Sequence, residues 1–170
     1  MTAPTQDQAQ QILGDVGGLL QDLTEVQTSL LSVLHQKREA MANGEIQQLS
    51  DLQPIEEEIN GRLKACFERR SEILQRGQSQ GVAATTLAEM TNHLSDQTDG
   101  KIGNLQEQFQ ESRDRIRDLQ LEHLTNWVIA QKSLLHVSQI LEIVATGGKI
   151  KPTYGKDDFC ARGALVDHEA

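Results

Sequence analysis

The side chains best suited to catalysis or metal binding in this sequence are five histidines and two cysteines, and their spacing supports neither role. His35, His93, His123, His136 and His168 include no His-Glu-x-x-His pair. None has a glutamate three residues before it, so the Glu-x-x-His ligands of carboxylate-bridged metal bundles are absent. Glu89 and His93 stand four apart, but one pair does not complete a metal site. Cys66 and Cys160 lack the short spacing of zinc ligands. There is no GxGxxG stretch and no phosphate-binding GxxxxGK[ST] loop. The expectation is a protein with no catalytic residue, no metal and no cofactor.

The features that remain suit binding, and a long helix must position them. From Ile102 to Val144 selected positions recur at steps of three and four: Ile102, Leu105, Phe109, Ser112, Ile116, Leu119, His123, Asn126, Ala130, Ser133, Val137, Ile140 and Val144. That heptad repeat predicts a helix from about Lys101 to Gly147, with a coiled-coil seam. Its length of roughly 65–70 Å exceeds what it could bury against itself. On the seam, His123 is read as a hydrogen-bonded core histidine. Up to Glu122 the seam is narrow and its flanks are charged or amide. From Trp127 to Ala145 the apolar residues spread off the seam, with Trp127, Val128, Ile129, Leu134, Leu135, Leu141 and Ile143 joining it. A helix this apolar needs cover on more than one side. Either the preceding helices bury the belt, or part of it stays open for a helix of another protein.

Two further helices precede it. Ile12, Val16, Leu19, Leu20, Leu23, Val26, Leu30, Val33, Leu34 and Met41 mark one from about Gln8 to Ala42, and Asn43-Gly44 stops it. Ile46, Leu49, Leu52, Ile55, Ile59, Leu63, Cys66, Ile73 and Leu74 mark the second, ending near Arg76-Gly77. Cys66 lies on that apolar stripe as a small hydrophobe. Pro54 inside the second helix predicts a kink, or a break with a new helix opening at Pro54. Glu58–Arg62 and Glu72–Arg76 are expected to pair along its outer face. The two-residue link favours an antiparallel hairpin. Thr85 to Leu94 reads as a short helix, capped by Thr85 or Thr86, with Leu87, Met90 and Leu94 inward.

Composition agrees with an all-α fold: an elongated antiparallel helical bundle or coiled-coil hairpin, with one long C-terminal helix and a flexible tail. Aromatic residues are only 3% of the chain, few for a compact globule of 170 residues. Helical domain residues 1–147 and tail residues 148–170 are the expected division. The net charge of −9 argues against binding nucleic acid or anionic membranes through a basic patch. The longest uninterrupted apolar run, Trp127 to Ala130, is too short to span a bilayer. The polar start of the chain carries no signal peptide. Two distant cysteines fit a reducing cytosol.

Three passages, in this order, resemble the FlgN family of flagellar type III export chaperones. One is the helix–turn–helix passage from Leu34 to Ile46, LHQKREAMANGEI. Another is Leu124-Thr125-Asn126-Trp127, followed by Ser133-Leu134 and a Leu/Ile-rich helix end. The third is Thr153-Tyr154-Gly155 beyond a glycine-containing helix terminus. The resemblance implies a small acidic cytosolic protein that binds the hook–filament junction proteins FlgK and FlgL. It implies delivery of those clients to the export gate, the cytoplasmic domain of FlhA. Client binding then falls on Asn126, Trp127, Leu134, Val137, Leu141 and Val144, and gate docking on Tyr154. Weak homo-oligomerisation is compatible with that role. A structural coiled coil that self-associates through the same belt, with no export role, is the alternative.

Overall fold

A computed structural model describes residues 4–95 and 103–147. Those residues form four α-helices and no strand: α1 (Gln6–Asn43), α2 (Ile46–Ser79), α3 (Leu87–Ser95) and α4 (Gly103–Ala145). The expected all-α bundle with a long C-terminal helix is what is seen. The chain divides into two compact units, Met1–Ala130 and Gln131–Ala170.

In the first unit, α1 and α2 make the antiparallel hairpin that the short link dictates. Gly44 closes α1 with φ at 73°, a left-handed conformation that glycine adopts without a Cβ clash. Glu45 N–H then donates to Ala40 O at 2.8 Å, satisfying a carbonyl left over at the helix end. Down the hairpin, Lys37 pairs with Glu56, Asp22 with Arg69 and Asp15 with Arg76. As one partner's number falls the other's rises, which is antiparallel register. On α2, Leu52, Ile59, Cys66 and Ile73 are buried at heptad spacing against Ile12, Val16, Leu19, Val26 and Val33 of α1. Burial, and then the charge of Asp22, push the Cys66 thiol up from its ordinary value.

Of the kink or break expected at Pro54 the break does not occur, and the ion pairs expected along α2 are replaced by others. The helix runs unbroken through Pro54, so no new helix opens there. Buried Leu52 and Ile59 hold both sides of the proline against the core, and that packing carries the helix past the missing hydrogen bond. The arginines choose other partners as well. Arg62 reaches Glu25 and Arg76 reaches Asp15, both on α1, instead of Glu58 and Glu72 along α2. Arg62, Arg69 and Arg76 recur every seven residues beside the buried row, where coiled coils place their interhelical ion pairs.

Helix α3 covers one end of the hairpin. Leu87, Met90, Thr91 and Leu94 are buried, the inward set that periodicity predicts. Its start is a capping box: Glu89 N–H donates to Thr86 Oγ1, and Thr86 N–H donates to Glu89 Oε2. Thr85 adds a backbone and a hydroxyl donor to the same carboxylate oxygen. These bonds, Thr85 N–H foremost, hold the Glu89 carboxyl below its ordinary range. A lowered folded value means that the contribution is complete above the unfolded carboxylate value and disappears as the pH falls through the folded one. The α3 start should therefore loosen as the pH falls below the ordinary carboxylate range. Amide exchange at Glu89 and Met90, measured against pH, should show this onset, and Glu89→Gln should abolish it.

Helix α4 packs on α1 in parallel. Gln27 meets Ser112 and Arg38 meets Glu122, both numbers rising together, and Asn126 meets Leu34, the three separations lying between 84 and 92 residues. Leu105 packs beside Gly17, an offset of 88 residues. The seam mixes apolar and polar side chains. Leu105 is buried, and so are Gln27, Ser112 and Asn126. Gln27 Nε2 donates to Ser112 Oγ at 3.1 Å, and Arg115 Nε donates to Gln27 Oε1 at 3.0 Å. The buried amide is thereby satisfied on both ends.

Candidate functional site

Helix α4 changes character near Asn126. That residue is only 8% exposed, and its Nδ2 donates to Leu34 O at 2.8 Å. One turn earlier, Glu122 accepts from Arg38 Nη1 at 2.6 Å and lies 2.8 Å from His35 Nε2. These contacts fasten α4 to the last turns of α1. The first unit stops at Ala130. His123 is exposed, not the core histidine expected from its place on the seam. The α1 contacts go to Glu122 and Asn126 on either side of it.

Every residue from Gln131 to Ala145 is exposed. Leu134 and Leu141 are each 62% exposed, Val137 50% and Val144 72%. Within the first unit, Trp127 is 55% exposed. These apolar side chains are thus exposed. At about 100° per residue, Ala130, Leu134, Val137, Ile140, Leu141 and Val144 share an arc of roughly 120°. Gln131, Lys132, His136, Gln139 and Glu142 lie off that arc, and so do Leu135 and Ile143, which are 60% and 44% exposed. The segment is a helix with exposed apolar side chains that extend beyond one stripe.

The same helix holds an 18-residue window of mean hydropathy 1.2, long and apolar enough by those measures to cross a membrane. Counting only uninterrupted apolar runs overlooks this window.

The structure brings Trp127, Leu134, Val137, Leu141 and Val144 onto one helix and leaves them open. It sets Asn126 apart from them, committed to the α1 interface. Tyr154 and the expected tail, 148–170, lie outside the described residues, as does Cys160. Glu89 serves the α3 cap, which accounts for its spacing from His93. No cluster able to hold a metal ion occurs among the described residues. Sequence reasoning missed Phe67, 59% exposed on α2. Its signal was an aromatic residue one step off the buried row at Cys66.

The model of the family described as FlgN protein matches residues 14–158, and the chain belongs to the FlgN family. That is a family of flagellar export chaperones. Neither a curated protein nor a solved structure matches the chain.

Proposed function

We propose that this chain is the export chaperone of the hook–filament junction proteins FlgK and FlgL, acting in the cytoplasm. Its α4 face, Trp127, Leu134, Val137, Leu141 and Val144, covers an amphipathic helical segment of the client. The observation that carries this reading is the exposure of that apolar face. A client segment left unpaired before export presents the complementary apolar stripe. Covering it removes surface that would otherwise drive aggregation. Release at the gate demands a limited patch, and five side chains on one helix are such a patch. Asn126 and Glu122 hold the root of that helix.

Calorimetric titration of the full chain with purified FlgK and with FlgL tests the reading. One-to-one binding to either client supports it. Failure to bind either, together with a stable homo-oligomer in sedimentation equilibrium, would instead make the face a self-association seam.

Delivery is assigned to Tyr154. A lone tyrosine beyond a glycine helix end, flanked by Pro152 and Gly155, offers a flat ring and one hydroxyl to a pocket on FlhA. Tyr154→Ala should leave client affinity and thermal stability nearly unchanged. Affinity of the chaperone–client complex for the FlhA cytoplasmic domain should fall by about 2 kcal/mol or more, the scale of an aromatic hot spot. Unchanged affinity in that titration would remove Tyr154 from the docking site.

A further inference from the structure

Away from the α4 face, the first unit holds an apolar groove of about 280 Å³. Leu23 of α1 lies along it, with Phe67 of α2, Leu87 of α3, and Phe109 and Ile116 of α4. Phe67 is 59% and Ile116 42% exposed, so none of the four helices covers it. Arg70 and Arg113 also line the groove, and no acidic residue does. Eight arginines fall among the described residues. Arg38, Arg62, Arg69, Arg76, Arg115 and Arg117 each form an ion pair. The two without one are Arg70 and Arg113, and both line this groove. In a chain of net charge −9, an acid-free lining with two free guanidinium groups is a local inversion of charge.

We infer that this groove docks an acidic amphipathic helix of a partner protein. Leucine or phenylalanine side chains of that helix enter between Phe67 and Ile116. Carboxylates on its borders meet Arg70 and Arg113, whose planar guanidinium forks donate to such groups bidentately. Helix-in-groove recognition uses anchors at i, i+3 or i+4, and i+7, which suits a furrow between helices. The α4 face of a second copy matches poorly. Between Gln131 and Ala145 it carries a single acid, Glu142, and a lysine, Lys132.

The test is fluorescence anisotropy with the full chain and two labelled peptides. One is an amphipathic peptide of about 14 residues with leucines at i, i+4, i+7 and i+11 and glutamates flanking them. The other replaces every glutamate with lysine. The acidic peptide should bind at least about tenfold more tightly. The double variant Arg70→Glu/Arg113→Glu should reverse that preference, while Leu134→Gln/Leu141→Gln should leave it intact. Phe67→Ala, at an exposed position, should weaken both peptides without changing helix content. Equal affinity for the two peptides overturns the inference, as does an unaltered preference in the charge-reversed variant. Loss of binding in Leu134→Gln/Leu141→Gln overturns it too, by placing the peptide on α4. A dimer of the unmodified chain that Arg70→Glu/Arg113→Glu dissociates would make the groove a self-interface. Displacement of the acidic peptide by dodecanoate, with no charge preference between peptides, would make it an amphiphile site.

Discussion

Leu134→Gln combined with Leu141→Gln should weaken client binding about a hundredfold while leaving the fold intact. Each leucine is 62% exposed and faces no other described element, so the free protein loses little packing. Glutamine is nearly as good a helix former as leucine, so α4 should keep its helix content. The complex loses much more. Burying a leucine side chain is worth about 1.5–3 kcal/mol, and two losses near the lower figure already make roughly a hundredfold in affinity. Both side chains lie on one arc of α4, seven residues apart, and would press on the same client stripe. Titration of FlgK or FlgL into the double variant, with circular dichroism of the free chain, checks both halves. Loss of helix content, with the unfolding midpoint lowered in step, would mean that the leucines are core.

The largest effect on stability is expected where α3 meets α2. Met90 is fully buried, and its side chain lies over Gly77. Met90→Ala opens a cavity and should cost about 2–5 kcal/mol. A Cβ at position 77 would sit 2.7 Å from Met90 Sδ and closer still to Cε, well inside contact distance. Gly77→Ala alone should therefore cost about 1–3 kcal/mol from overpacking, less what alanine regains in helix propensity. The two changes compensate in space, since the new methyl enters the volume that the thioether leaves. The double variant should be more stable than the sum of the single losses implies, by about 1 kcal/mol or more. Urea unfolding of the four proteins completes the cycle. Strict additivity would show that Met90 can swing clear of Gly77 within the core.

Much of this fold can be read from periodicity. The repeats of Ile12 to Leu34 and of Leu52 to Ile73 are a direct record of which faces touch, and the structure buries those faces. Gly44 marks its turn because few other residues accept the required φ. Other features depend on choices between partners that spacing cannot rank. Arg62 and Arg76 each had a carboxylate four residues away on α2, yet a second helix offered others across the hairpin. His123 obeys the heptad, but α4 meets α1 through Glu122 and Asn126 instead.

The openness of the α4 end was undecided for a related reason. Leu134 and Leu141 look the same in sequence whether buried or bare. Their exposure is a property of the fold that spacing alone does not carry. The groove holding Arg70 and Arg113 was hidden likewise, because its walls come from all four helices.

Hydrogen–deuterium exchange of the full chain, alone and saturated with FlgK, would locate the client directly. Amides of residues 131–145 lie in an exposed helix and should exchange readily in the free chain. Client binding to the apolar face should slow them sharply, with α1 and α2 nearly unchanged. Equal exchange at residues 131–145 in both states, under conditions where FlgK is fully bound, would place the client elsewhere and contradict the assignment of the α4 face.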